Sequence, residues 1–362
     1  MRISQLETPE FILPSYEARK TVHVMGAPGG GKSDVTREGF KSVLEQHYGE
    51  EFGMVVIDVP GIDAVDVRGF CVPTKDDEGR PISFFTRSGL MPTKQYLAKH
   101  PRGLVVLEEK NAGDALTIKA LNQVTLERRF GEDKLPDGWW VLALSNRVSD
   151  KSGASRPMMH SVNREMVVEL EFVMDDYVSY WERTGMHPYA VAFAKNNAGV
   201  FATEVPAEAK PFCTPRSFTF AWDWLRAAGD GSVESIPTSG IAKSAVAGFI
   251  GAGAAAQMFA YLKVADQLPT MAEILAAPAT AKIPRVTDLS ANYMVMQNCV
   301  HHTSTTNTDT IWQYVERLQP ELQTSAAASM FKKSNGALLN SERLNKWVQN
   351  NRALISDTIG RG

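Results

Sequence analysis

From Thr21 to Leu170 the chain alternates short, unbroken apolar runs with stretches whose apolar residues recur at helical spacing. The runs are Thr21–Met25, Met54–Ile57, Leu104–Leu107, Trp140–Leu144 and Met166–Val168. Continuous β-branched runs, rather than apolar–polar alternation, mark strands covered on both faces, and a parallel sheet has helices on both faces. The pattern predicts an α/β core. Between the third and fourth runs, Ala115–Arg129 places Ala120, Leu121 and Val124 on one helical face, with Gly131 as the expected stop. Between the second and third runs, Asp76-Asp77-Glu78-Gly79 reads as a turn joining two extended segments, which predicts a projecting hairpin in an insertion near residues 66–92. Phe84–Phe85 reads either as a contact for a threaded substrate or as an anchor for that hairpin, with the anchor favoured.

After Phe172 the strand pattern stops. Aromatic and alanine-rich helical spacing follows, broken by Pro206, Pro211, Pro237, Pro269, Pro284 and Pro320. The division expected is a nucleotide-binding α/β core over 1–172 and an all-α lid with a helical extension over 173–362. Ser244–Leu262 is nearly charge-free and long enough to cross a bilayer. Its bulk is Ala and Gly, with Gln257 inside it, so a buried, closely packed helix is the expectation.

Composition narrows the class. The 362 residues exceed a typical single domain, and 44% hydrophobic residues suffice for real cores. With 38 basic and 41 acidic residues the net charge is −3, which offers no global attraction to nucleic acid or to an acidic membrane. The basic pairs Arg128–Arg129 and Lys332–Lys333 read as solvated or interfacial. Cys71, Cys213 and Cys299 form neither a disulfide framework nor a C-x-x-C pair, and the start Met1-Arg2-Ile3-Ser4-Gln5 lacks a secretory pattern. A cytoplasmic location is expected. His301–His302 reads as a surface pair, and the tryptophans at 139, 140, 181, 222 and 224 read as core.

The strongest chemical signal is Gly26-Ala27-Pro28-Gly29-Gly30-Gly31-Lys32-Ser33, a G-x-x-x-x-G-K-S/T loop placed after a strand and before a helix. Glycines let backbone N–H groups turn inward around phosphate oxygens, and the following helix adds its positive end. In such a loop Lys32 reaches the β and γ phosphates and the Ser33 hydroxyl ligates Mg²⁺.

The ends of the later strands supply further candidates. Leu104–Leu107 runs into Glu108–Glu109, of which the first can hold a water of the Mg²⁺ shell and the second can polarise an attacking water. These acids are expected where the chain leaves the sheet beside the phosphate loop. Asn146 ends the fourth run and can hold that water without another charge. Arg164 precedes the fifth run, where it can project from the sheet edge into a neighbouring subunit's site. In the helical part, Thr214-Pro215-Arg216-Ser217 reads as a capped helix start, and a cation there calls for an anionic partner, expected to be bound nucleotide.

With these motifs in order, GAPGGGKS, VDVRGF, LVVLEEKNAGD, LERRFGEDKLPDGWWVLALSNR, VNREMVVELEF and TPRSF, the chain resembles MoxR-type AAA+ ATPases, the bacterial and phage group often found beside von Willebrand factor A domain proteins. The resemblance covers roughly residues 20–225, with LPTMAEILAAP also similar. It implies Walker A at Gly26–Ser33, Walker B at Leu104–Glu109, sensor 1 at Asn146, an arginine finger at Arg164 and sensor 2 at Arg216. It also implies a homo-oligomeric ring, usually a hexamer, with ATP between subunits, a hairpin near the pore around Val72–Thr86, and a von Willebrand factor A domain protein or another protein as client. The group usually has Asp-Glu where this chain has Glu108–Glu109. The extra methylene moves the metal-side carboxylate by about one C–C bond, and positioning is sensitive to ~1 Å, so slow hydrolysis is expected.

The function expected is a Mg²⁺-dependent ATPase that remodels or assembles a partner protein. A nucleotide-gated scaffold with little turnover is the first alternative, separable by sustained phosphate release. A nucleic-acid motor is the second, disfavoured by charge and separable by DNA stimulation.

Overall fold

The computed structural model describes residues 1–150, 164–202, 205–206, 208–229, 235–334 and 341–352. Its strands are β1 (Val22–Gly26), β2 (Gly53–Asp58), β3 (Cys71–Lys75), β4 (Pro81–Phe85), β5 (Gly103–Glu108), β6 (Arg129–Phe130), β7 (Asp133–Lys134), β8 (Trp139–Asn146) and β9 (Met166–Glu169). Five of them form one sheet in the order β2-β5-β8-β1-β9, every neighbouring pair parallel. The fold class is α/β, as the apolar runs predict. All five runs lie on strands of this sheet, with Thr21 one residue ahead of β1.

Alternation along the strands divides the core into two layers. Leu104, Val106, Trp140, Leu142 and Leu144 pack with the N-terminal helix Pro9–Glu17 and with Val35, Phe40 and Leu44 of the helix after the phosphate loop. Val105, Leu107, Trp139, Val141 and Ala143 face the helix Ala115–Glu127 through Ala120, Leu121 and Val124. The central strands β5 and β8 are buried throughout, apart from their last residues. The outer strands differ from the expectation of cover on both faces. Val56 in β2 and Met166 and Val167 in β9 are exposed, because these strands form the two edges.

The expected hairpin is present as the antiparallel pair β3–β4, turning at Asp76–Gly79 with Gly79 at φ 80°. Phe84 and Phe85 do not anchor it. Both are about half exposed, with Phe70 and Ile82 also exposed, because all of β4 lies open to solvent. The helix after β5 stops at Glu127 rather than running to Arg129. Arg128 takes the left-handed conformation at φ 58°, and its buried guanidinium donates to the carbonyls of Leu135 and Pro136. Arg128 is therefore structural, and Gly131 serves the small β6–β7 turn instead.

Chain contacts divide the molecule into two units, one built on Met1–Phe172 and the other on Val173–Ala202 and Pro206–Gly362. Among the described residues the second unit is helical. Ser244–Leu262 is not one helix. It belongs to two, Gly240–Ile250 and Ala252–Leu262, which break at Gly251 with φ 82°. A Cβ there would sit 2.6 Å from the Pro211 carbonyl oxygen, so glycine also permits a close approach of backbone. Among the described residues no helix is long and apolar enough to cross a membrane. Trp139, Trp140, Trp181 and Trp222 are buried as expected, while Trp224 is half-buried. His301 is half-buried rather than a fully exposed surface residue. Burial pushes its pKa down to about 4, with His302, Lys333 and His187 adding repulsion. Lys333 is not free either, since its ammonium caps the carbonyls of Val300 and His301.

Candidate phosphate and hydrolysis site

The site gathers at the C-terminal ends of β1, β5 and β8. β1 ends at Gly26, and the loop turns with Gly29 and Gly31 at φ 71° and 76°, conformations that side chains resist. Gly31 caps a helix that begins at Lys32, widens to π pitch over Val35–Phe40 and continues through Lys41–Tyr48. Gly26 lies close to β9's continuation, where an added Cβ would sit 3.0 Å from the Cβ of Leu170.

The Lys32 ammonium donates to the carbonyls of Gly26 and Ala27 and to Oδ1 of Asn146, each at 2.9 Å. Gly26 pairs in register with Asn146, which explains how the end of β8 delivers that amide to the loop. The Ser33 hydroxyl donates to Oε2 of Glu108 at 3.0 Å. The other oxygen, Oε1, lies 2.9 Å from the Arg37 guanidinium, a charge contact without an aligned hydrogen bond. A hydroxyl facing a carboxylate is an oxygen-donor pair of the kind that fits Mg²⁺. The longer Glu108 side chain thus still reaches Ser33.

Glu108 lies beside the phosphate loop as expected, in hydrogen-bond contact with Ser33, although β5 is not the immediate neighbour of the phosphate-loop strand. β8 lies between them, so Asn146 stands between Lys32 and the acidic pair. Glu109 is exposed and takes a left-handed backbone at φ 50°, ψ 38°, opening the short turn Lys110–Ala112. For a non-glycine residue this is a strained conformation, of the kind found at functional sites.

Glycines 26, 29, 30 and 31, Pro28, Lys32, Ser33, Glu108, Glu109 and Asn146 therefore share one region of the first unit. Arg164 is exposed in a turn two residues ahead of edge strand β9. Val162 and Asn163 lie outside the described residues. Arg216 belongs to the second unit. It is exposed in the first turn of the helix Pro215–Ala228, which Thr214 caps by accepting from Ser217 N, with Pro215 at the first position. Trp222 packs inward from that helix, while Phe220 is exposed.

Sequence reasoning missed a buried polar group beside this site. Glu165 takes one contact from Lys110 and another from His23, whose Nδ1 lies 3.1 Å away. His23 Nε2 meets the Ser145 hydroxyl at 2.8 Å, and Asn111 donates to that same hydroxyl at 3.2 Å. Burial alone would raise the Glu165 pKa, but the His23 hydrogen bond and the Lys110 charge outweigh it and hold the carboxyl at about 2. Burial lowers the His23 pKa, and the nearby Lys110 charge opposes protonation further. His23 stands inside an apolar run, and Lys110 and Glu165 are single charges without periodicity, so no pattern singles them out.

No protein-family model and no curated protein matches the chain. Among solved structures it is similar to NtrX from Brucella abortus in complex with ADP, at 11% identity and TM-score 0.38, over 97% of this chain and 68% of that one. The ATP complex of the same protein gives 12% identity and TM-score 0.36, over 97% and 67%. PCH-2 of C. elegans gives 13% identity and TM-score 0.36, over 71% and 68%. At these values the likeness bears on neither activity nor partners.

Proposed function

We propose that this chain is a Mg²⁺-dependent ATP hydrolase of the AAA+ class, of MoxR type, which assembles as a ring and uses nucleotide to remodel or assemble a partner protein. The observation that carries the reading is the meeting of a glycine phosphate loop, the Ser33–Glu108 pair and the Lys32–Asn146 contact at one end of a parallel sheet. Open parallel sheets bind ligands at this end of their strands.

In this reading the loop N–H groups cradle the phosphates, and Lys32 leaves the carbonyls of Gly26 and Ala27 for the β and γ phosphates. Ser33 and Glu108 would hold Mg²⁺, which when bound would neutralise phosphate charge. Glu109 takes the proton of the attacking water, which Asn146 orients. The exposure of Arg164 beside an edge strand supports its role as a finger in a neighbour's site, and the exposed helix-start position of Arg216 supports a role in sensing nucleotide. A homo-oligomeric ring follows from that shared site. The MoxR assignment and a protein client rest on the sequence resemblance.

The test is direct. Lys32→Ala loses binding of a fluorescent ATP analogue, whereas Glu109→Gln binds it with Mg²⁺ but does not release phosphate. Sustained hydrolysis by Glu109→Gln defeats the assignment of Glu109. Binding by the unaltered chain without repeated turnover favours a nucleotide-gated scaffold.

A further inference from the structure

We infer that Lys110, Glu165, His23, Ser145 and Asn111 form a closed buried circuit that couples Arg164 to Glu109, so that engagement of Arg164 by a neighbouring copy sets the competence of the protomer's own hydrolytic site. The inference rests on the function proposed above and assigns that site a regulation.

The circuit closes because its two ends are consecutive residues. Lys110 contacts one oxygen of Glu165, His23 Nδ1 lies 3.1 Å from the other, His23 Nε2 meets the Ser145 hydroxyl at 2.8 Å, and Asn111, next to Lys110, donates to that hydroxyl. All five side chains are buried, those of His23, Lys110 and Glu165 by 96% or more.

Core filling does not account for the group. On the opposite face of the same strands, Val22, Val24, Leu142 and Leu144 fill the equivalent space with aliphatic carbon. Replacing such carbon by a buried ion pair brings no reliable gain in stability. What the circuit does have is position. Lys110 and Asn111 belong to the turn that starts at Glu109, where the Ala112 N–H closes on the Glu109 carbonyl and the backbone is strained. On the far side of the circuit Glu165 is one peptide bond from exposed Arg164. A pull on Arg164 displaces Glu165, whose oxygens are held by Lys110 and His23. A closely packed interior passes such a displacement on as a discrete rearrangement rather than absorbing it. Glu165 is thus a positioning residue, acting on Glu109 through Lys110.

A doping experiment on the full chain tests this. Subunits carrying Lys32→Ala keep their own Arg164 but offer an empty phosphate loop to the Arg164 of a neighbour. They are mixed in increasing proportion with otherwise unaltered subunits, and ATP turnover is normalised to the undoped rate. With coupling, an active subunit needs an occupied neighbour, so an equal mixture retains about one quarter of the rate, against about one half for dilution alone. The same series is run with active subunits carrying Glu165→Gln, and with Lys110→Met together with Glu165→Gln, a pair that leaves no unmatched buried charge. Both are expected to bind the ATP analogue within about twofold of the unaltered chain and to follow the straight dilution line. A bowed curve that persists in both variants, or a straight line for the unaltered chain, overturns the coupling while leaving the ATPase reading intact. Absence of turnover in the undoped chain, or normal turnover in Glu109→Gln, overturns the ATPase reading and the coupling with it.

Discussion

Glu109 offers a test in which the sign of the result is the diagnostic. At an ordinary position, glycine in place of alanine lowers stability by about 0.5–1 kcal/mol, because the unfolded chain gains freedom. At φ 50°, ψ 38° the balance changes. A left-handed backbone costs an L-residue about 1–2 kcal/mol, and glycine escapes that cost. Glu109→Gly and Glu109→Ala remove the same carboxylate, so comparing them isolates the backbone, and Gly is expected to be the more stable by about 0.5–1 kcal/mol. Strand β8 runs through the centre of the same sheet, and hydrogen exchange of its amides reads unfolding of that unit within the full chain. The expected difference is roughly two- to fivefold slower exchange in Glu109→Gly, since 1.4 kcal/mol is tenfold. Equal or slower exchange in Glu109→Ala refutes strain at this position and removes one support for placing chemistry there.

Three further outcomes follow from particular contacts. A Cβ on Gly69, at φ 88°, would lie 1.8 Å from the Thr86 carbonyl oxygen, so Gly69→Ala is expected to cost ~2–3 kcal/mol and open the hairpin base to protease, and an unchanged cleavage pattern counts against it. Lys110→Ala strands the buried Glu165 charge and is expected to cost about 3–5 kcal/mol in urea unfolding, clearly more than Lys110→Met with Glu165→Gln; equal losses refute the pairing. His301 has a folded pKa of about 4 against 6.5 when unfolded, so the unfolded chain takes up the proton first as pH falls. The second unit should be fully stabilised above pH 6.5, lose stability down to about 4 and then level off, and His301→Gln should flatten that slope.

What could be read from the residues, and what could not, has a physical boundary. The five strands were legible because burial on a sheet selects unbroken apolar runs, and the phosphate loop was legible because its geometry requires glycine at fixed spacing. The order of the strands was not, since whether β8 or β5 lies beside β1 depends on tertiary pairing rather than on either strand's composition. The end of the helix at Glu127 was hidden because Arg128, a side chain poorly suited to a left-handed cap, is held by distant carbonyls. The Glu165 circuit was hidden for the same reason. Its members come from four separated segments, and each taken alone resembles a surface charge or a strand residue. Phe84 and Phe85 carry the opposite lesson, as two large aromatic side chains left in solvent on a ribbon that reads locally like any other hairpin.

The bend at Gly251 decides what kind of object an apolar segment becomes. Two helices of 11 residues each are about 16 Å long, roughly half the hydrocarbon thickness of a bilayer. A straight helix over the same stretch would reach about 34 Å and span it. One dihedral angle thus separates a folded elbow from a rod of lipid-crossing length, and the same atoms that let the Pro211 carbonyl pass close by keep the segment short.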